Sequence, residues 1–199
     1  MMTIYVATLT GLVDLENPVP GITLNAMAHG LGKIDRWAGA LEVPFSVAQH
    51  SVLVMEIFRK LAPAHSEEAI YALLHDGHEY LIGDIITPAA RLMNLFDDLA
   101  EARLTMIKND LDHAIRVALG VPPPVSVILE IVAEADMIAA DLEWRALMPA
   151  ANGQSPYAGV TAANRIPVVR PKPLQWMDAA DLFRASFTRA RMAIDAGAR

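Results

Sequence analysis

The chain has 199 residues, of which 54% are hydrophobic and none is cysteine. That suits one domain with a substantial core, and it removes disulfides, thiolate nucleophiles and thiolate zinc sites together. Net charge is −7 and the pI about 5.3, without the basic stripe of a duplex nucleic-acid binder.

The first residues, TIYVATLTG and then LVDLENPVPG, read as a strand or small hairpin followed by a loop punctuated by Gly11, Pro18 and Pro20. Helical periodicity dominates from there. Thr23 caps a short helix carrying Leu24, Met27, Ala28 and Leu31. Ser46 and Gln49 fit a capping box, so a helix starts there, with Leu53, Val54, Ile57, Phe58 and Leu61 on its apolar face. Three and four residues back from Leu53 and Val54 lies His50, which places it on the buried face. Ser66 opens the next helix, with Ile70, Leu73, Leu74, Gly77 and Leu81 in register and Gly83 as its stop.

Asp97 or Asp98 opens a longer helix through Leu104, Ile107, Leu111, Ile115 and Leu119, which Gly120 and Pro122 to Pro124 end. Another runs from about Val125 to Leu147, with Ile128, Ile131, Val132, Ala135, Ala139 and Leu142 inward. Residues 149–173, PAANGQSPYAGVTAANRIPVVRPKP, read as loop with an extended tail. Asp178 caps a last helix with Leu182, Phe183, Phe187 and Ile194. No repeat or linker divides the chain. The expectation is one mostly α-helical domain over 1–199, with a small β-like stretch at its start. No apolar run reaches membrane-spanning length, and the N-terminus lacks the basic and apolar regions of a signal peptide, so the expected setting is the cytoplasm.

The chemistry sits in YALLHDGHEYLIGDI. On a helix, His75 and Glu79 are four apart and Asp76 and Glu79 three apart, so all three reach one pocket. Asp136 lies at the edge of its helix's apolar face, four residues past Val132. A buried carboxylate is costly unless paired or bound to a metal, and a buried imidazole needs partners for both nitrogens. Grouping His50, His75, Asp76 and Asp136 around one divalent cation removes these costs together, and two imidazoles with two carboxylates suit zinc, manganese, iron(II) or cobalt. The plainer readings are a satisfied core histidine, an Asp136 paired with Arg91, Arg103 or Arg145, and a surface Glu79.

SVAQHSVLV, ALLHDGHEYLIGDI and EADMIAADLEW, in this order, resemble the HD superfamily of metal-dependent phosphohydrolases. The resemblance covers about residues 22–147, leaving 148–199 as a loop plus a C-terminal helix packed on the core. Within the superfamily it is nearest to small nucleotide hydrolases, the bacterial 5'-deoxyribonucleotidases and phage-type deoxyadenosine triphosphate triphosphohydrolases. These show His-Asp-x-x-Glu followed by Gly-Asp, here His75, Asp76, Glu79, Gly83 and Asp84, and an Arg-aromatic pair before the first His, here Arg36 and Trp37. Many continue that pair with Gly-His; RWAGAL does not.

The resemblance implies an all-helical fold and one divalent ion (Mn, Co, Zn, Fe or Mg) on His50, His75, Asp76 and Asp136. It implies attack of a metal-bound water on a phosphate ester or anhydride of a small (deoxy)nucleotide. Glu79 would take the water's proton, Arg36 would clamp phosphate, Trp37 would stack on a base and Asp84 would bind a sugar hydroxyl or hold Arg36. Lys33 would add charge near phosphate. The simpler role for Arg36 is an ion pair with Asp35 or Glu42. His78 is expected to support the site rather than ligate, and His29, His65 and His113 to be structural or exposed. The competing readings are a non-catalytic metal- or nucleotide-binding module of the same fold, a cyclic-nucleotide phosphodiesterase, and a helical interaction protein without metal. The apolar content also leaves room for a homodimer.

Overall fold

Tyr5–Thr8 (β1) and Gly11–Asp14 (β2) pair antiparallel, with Tyr5 opposite Asp14 and Thr8 opposite Gly11. In this computed structural model, which describes residues 3–150, 153–157 and 171–197, they form a two-stranded sheet and the rest of the fold is mostly α-helical. Thr23 accepts a hydrogen bond from Ala26 N at 3.1 Å and caps α1 (Leu24–Lys33). Ser46 and Gln49 close the expected capping box on α2 (Val47–Leu61).

α2 is the helix around which the others pack. It touches α1, α3 (Ala69–Leu74), α7 (Ser126–Leu147) and α8 (Trp176–Gly197). Residues 47–55, Ile57 and Phe58 are all buried, so α2 has almost no wet face until Glu56 and Lys60. Its first turns are polar as well as enclosed: Ser46, Gln49, His50 and Ser51 are each at most 5% exposed. A helix enclosed on all sides is ordinarily apolar all round. Polar groups buried there therefore need specific partners, and His50 finds its own in the turn after α3 and on α7.

The helix expected from Ser66 to Gly83 is divided. A 3-10 run covers Pro63–Glu68, α3 follows, and a single turn, α4 (Glu79–Ile82), ends at Gly83 with φ 80°. Between α3 and α4 the amides bond to the carbonyl three residues back: Gly77 to Leu74 at 2.9 Å, Glu79 to Asp76 at 3.1 Å and Tyr80 to Gly77 at 3.4 Å. Gly77 permits the tightening, because a Cβ there would sit 3.0 Å from Leu74 O and 3.3 Å from Ile115 Cδ1. In 3-10 geometry residues three apart eclipse, so Asp76 and Glu79 stack on one side and Glu79 is carried inward.

Other boundaries also shift. Thr87–Met93 forms α5, which the periodicity missed because only Ala90 is buried on it; Pro88 in its first turn was the legible signal. α6 spans Ala100–Ala118, so neither Asp97 nor Asp98 is its first residue. Asp97 instead accepts from Leu99 N at 3.0 Å in the preceding turn. α7 begins and ends as expected, with Ile128, Val132, Ala135 and Ala139 buried. α8 starts at Trp176, two residues before the expected cap, and Asp178 lies in its first turn. Phe183 and Phe187 are buried, whereas Leu182 is 36% exposed. Of the expected loop over 149–173, residues 151–152 and 158–170 lie outside the described residues; 153–157 and 171–173 are neither helix nor strand.

α1 lies against α8 at very short range. A Cβ on Gly32 would fall 2.8 Å from Trp176 O and 3.2 Å from Ala180 Cβ. Alanine in a helix interior ordinarily gains ~1 kcal/mol over glycine. At this contact the sign is reversed, since the backbone carbonyl cannot yield without moving α8. Gly32→Ala is expected to lose about 1–3 kcal/mol, read as a lower midpoint in urea unfolding; a midpoint equal to or above wild type would show that α8 gives way freely.

Candidate metal centre

Two imidazoles meet at the junction of α2, the tightened turn and α7. His50 Nε2 lies 3.3 Å from His75 Nε2. Asp76 Oδ2 stands 3.1 Å from His75 Nε2 and 3.5 Å from His50 Nε2. Asp136 Oδ1 stands 3.0 Å from His50 Nε2 and 3.7 Å from His75 Nε2. His50, His75 and Asp76 offer one ligand atom each within 4.8 Å of one another and could hold a metal ion. The structure thus brings together all four residues picked out as ligands. His50 has no exposed side-chain surface, while the Asp136 side chain is 41% exposed, so the cluster opens to solvent on the α7 side.

The outward nitrogens explain why the inward ones converge. His75 Nδ1 lies 2.8 Å from Ala72 O, a carbonyl that only accepts, so Nδ1 carries the proton. His50 Nδ1 lies 2.6 Å from Glu143 Oε1. Burial pushes the Glu143 carboxyl up, but the His50 and Arg36 charges and hydrogen bonds from His50 and Trp37 bring it below its usual range. Glu143 is therefore ionised and accepts from His50. Both Nε2 atoms then offer lone pairs to each other and to two carboxylates, an arrangement that needs a positive charge among them.

The same carboxylates raise the affinity of both imidazoles for a proton. Burial lowers both histidines, and Arg36 also lowers His50. Glu143 and Asp136 outweigh this for His50, and Asp76 and Asp136 for His75, so both pKa values end above the ordinary one, His75 well above. Conversely, burial raises both aspartates, but His75 and His50 leave Asp76 depressed and the same two imidazoles hold Asp136 well below its usual range. A metal ion would supply that positive charge, and nitrogen and carboxylate oxygen together are donors that such an ion accepts.

Glu143 is the site residue that sequence reasoning missed. It is 0% exposed on α7. Its Oε2 accepts from Trp37 Nε1 at 2.9 Å and from Arg36 Nε at 3.4 Å. The available signal was its spacing, seven residues after Asp136 and so two turns along one helix face. Arg36 also approaches Asp76 Oδ2 at 3.7 Å; its partners are Glu143 and Asp76, not Asp35 or Glu42. Among the described residues Asp136 pairs with His50 and His75 and not with Arg91, Arg103 or Arg145; Arg103 pairs with Asp97 at 2.9 Å and Arg145 with Asp141 at 2.7 Å.

The turn that presents Arg36 and Trp37 is strained. Trp37 (φ 60°, ψ 31°) and Ala38 (φ 52°, ψ 33°) are left-handed, and Gly39 follows at φ 75°. Such conformations cost about 1–3 kcal/mol each for side chains other than glycine and persist only where the surroundings hold them. Here Arg36 N donates to Phe45 O at 2.9 Å, and the Trp37 ring meets Trp144 and Tyr157 edge-on at 5.3 and 6.0 Å.

Glu79 is not a surface glutamate. It is 3% exposed, and its Oε2 has no hydrogen-bond partner among the described residues. Burial, then Asp76 and Asp84, push its carboxyl up to about 9 against the opposing pull of Arg36 and Lys108. Asp84 also has a buried, partnerless Oδ2, and burial raises its carboxyl, with Arg36 opposing and Asp76 adding to the rise. His78 is buried and held through Nδ1 by Asp112 at 2.9 Å; with Asp76 and Glu79 it forms a second group of ligand-type atoms within 4.8 Å. Lys33 lies elsewhere: its Nζ sits 4.4 Å over the Trp176 ring and lines a cavity of about 580 Å³ with Asp35 and Pro44, which none of the four clustered ligands lines.

The chain is 35% identical over 136 residues to an uncharacterized protein of Rhodobacter capsulatus, 66% of either chain. It is 34% identical over 105 residues to the uncharacterized protein YfdR of Escherichia coli, 53% of this chain and 51% of that one. The match thus spans just under two thirds of the first relative and about half of the second. No protein-family model matches the chain. Among the described residues no helix is long and apolar enough to cross a membrane.

Two outcomes follow from this geometry. Glu143→Gln can still accept at one atom but loses the charge that orients His50, so metal affinity measured by titration should fall about 10–100-fold. Unchanged affinity would make Glu143 a packing residue. For Glu79, the folded pKa of about 9 stands above the ordinary 4.5. Its ionisation therefore destabilises the folded metal-free protein increasingly as pH rises from 4.5 to 9. Metal-free Glu79→Gln should melt above metal-free wild type at pH 8, and the gap should close by pH 4.5; a gap of the opposite sign would mean that Glu79 is ionised and paired.

Proposed function

We propose that the chain is a metal-dependent phosphohydrolase acting on a phosphate ester or anhydride of a small nucleotide, with a deoxyribonucleotide as the first candidate. The observation that carries this reading is the convergence of two Nδ1-anchored imidazoles and two aspartates beside a buried glutamate with a free oxygen. His50, His75, Asp76 and Asp136 would hold the ion. A divalent cation there supplies Lewis-acid charge toward phosphate and acidifies water.

The remaining roles fall to the chain itself. Glu79 would accept the attacking water's proton. Its raised pKa makes it a strong base once a nearby cation favours its ionised form, and a pKa close to working pH is what general-base catalysis requires. Arg36 keeps guanidinium N–H groups beyond those turned to Glu143 and Asp76, and these can meet phosphate oxygens. Burial of the guanidinium is outweighed by Glu143 and Asp76, so its pKa is raised and its charge is secure. The aromatic surfaces of Trp37, Trp144 and Tyr157 adjoin Arg36 through Trp37 and suit a planar base. Asp84 offers an oxygen to a sugar hydroxyl. Lys33, over Trp176, has no part in this arrangement.

The test is a phosphate-release screen across nucleotide mono-, di- and triphosphates and cyclic nucleotides with Mn, Co, Zn and Mg in turn. Metal-dependent release from one class is expected. Glu79→Gln should keep its metal and its nucleotide affinity while turning over ~10²–10⁴-fold more slowly. Wild-type turnover in that variant would move the base elsewhere, and loss of metal would make Glu79 a ligand. Nucleotide binding without release under any metal would identify a binding module instead.

A further inference from the structure

A second group of ligand-type atoms adjoins the centre described above and shares one residue with it. Asp76, His78 and Glu79 each offer an atom within 4.8 Å of the others. His78 and Glu79 are 4% and 3% exposed. His78 Nε2 and Glu79 Oε2 are both buried with no hydrogen-bond partner among the described residues. A buried polar atom left without a partner costs about 1–3 kcal/mol, and more when charged. Two of them beside a third donor group are hard to sustain unless a ligand meets them.

His78 is oriented for such a ligand. Its Nδ1 lies 2.9 Å from Asp112 Oδ1 on α6. Nδ1 donates to that carboxylate, which leaves the lone pair of the neutral ring on Nε2. A carboxylate behind the ring is how a metal-ligating histidine is ordinarily fixed and made a better donor. Glu143 stands in the same relation to His50. Charge points the same way. Asp76 and Asp84 both bear on Glu79, with Arg36 and Lys108 opposing them. Arg36 is already paired with Glu143 and Asp76, and among the described residues Lys108 forms no ion pair with Glu79.

We propose that Asp76, His78 and Glu79 hold a second divalent cation, so that Asp76 bridges two ions. Its Oδ2 faces His75 and His50, and a carboxylate shared between neighbouring ions suits the spacing of two-metal sites, about 3.5–4 Å. One imidazole with two carboxylates is a donor set for manganese, iron(II), cobalt or zinc. A carboxylate that ligates through one oxygen keeps the other for a proton, so this site is compatible with the role proposed for Glu79. The inference rests on the metal centre above and not on the proposed reaction.

The test is equilibrium dialysis of the metal-free chain against Mn²⁺ alone, followed by electron paramagnetic resonance. Wild type should take up about two ions per chain and show the exchange-coupled spectrum of a bridged pair. His78→Gln should hold a single ion with an uncoupled spectrum. Glu79→Gln should keep the ion on His50, His75, Asp76 and Asp136 and lose the second. Asp112→Asn leaves every ligand in place and should weaken only the second ion, about 10–100-fold; it carries the test if His78→Gln does not fold. A buried water joining His78 to Glu79 would leave a single ion in wild type. That result, two ions retained by His78→Gln, or unchanged affinity in Asp112→Asn overturns the proposal. Two ions without phosphate release would count against the proposed reaction and not against this site, whereas release with a single ion does the reverse.

Discussion

Glu143 holds three elements to one point. With no exposed surface, its two oxygens take a hydrogen bond from His50 on α2 and two from the turn that carries Arg36 and Trp37, while its backbone belongs to α7. A carboxylate buried this deeply is tolerable only because donors and cations surround it. Those same donors gain orientation from it: the His50 ring is fixed with Nε2 inward, and the guanidinium is fixed beside Asp76. Remove that carboxylate and the imidazole is free to rotate, the turn loses its anchor and the left-handed backbone at Trp37 and Ala38 has less to hold it.

How much of this was legible in the sequence depended on whether local or long-range physics set each feature. The caps at Thr23 and Ser46 are local chemistry and stand where their residue types put them. The inward stripes of α1, α2 and α7 follow from periodicity, and so does the placement of His50 on a buried face. The four clustered ligands were found because each was a polar residue in an apolar helical context. α5 gave periodicity little to read, since only Ala90 is buried on it, whereas the first half of α6 is legible as helix through Leu104 and Ile107 although Ile107, expected inward, is 50% exposed. Glu143 escaped because its partners are 93 and about 107 positions away in the chain, a separation that no local pattern reports. Lys33, expected to add charge near phosphate, instead lies over the Trp176 ring, a long-range partner that no local pattern reports.

The division of the His75 helix shows a smaller effect with a larger consequence. Ideal α spacing would set Glu79 one turn above His75. The bonds tightened to three residues at Gly77 and Glu79 align Glu79 with Asp76 instead. Two carboxyls are thereby brought side by side in a buried place, which is part of why Glu79 binds its proton so firmly.

The enclosure of α2 also sets how the molecule breathes. Amides on a helix covered by α1, α3, α7 and α8 reach solvent only when the whole cooperative unit opens, so their protection from hydrogen exchange approaches the free energy of global unfolding. The first half of α6, with no buried side chain, is held to the preceding turn by the Asn94–Glu101 and Asp97–Arg103 contacts and opens at lower free-energy cost than α2. The chain is thus composed of a slow-exchanging body that carries His50 and Glu143 and a faster-exchanging arm, the first half of α6 with the turn before it, that carries Phe96. Loosening of the arm can come and go without disturbing the spacing of the two imidazoles.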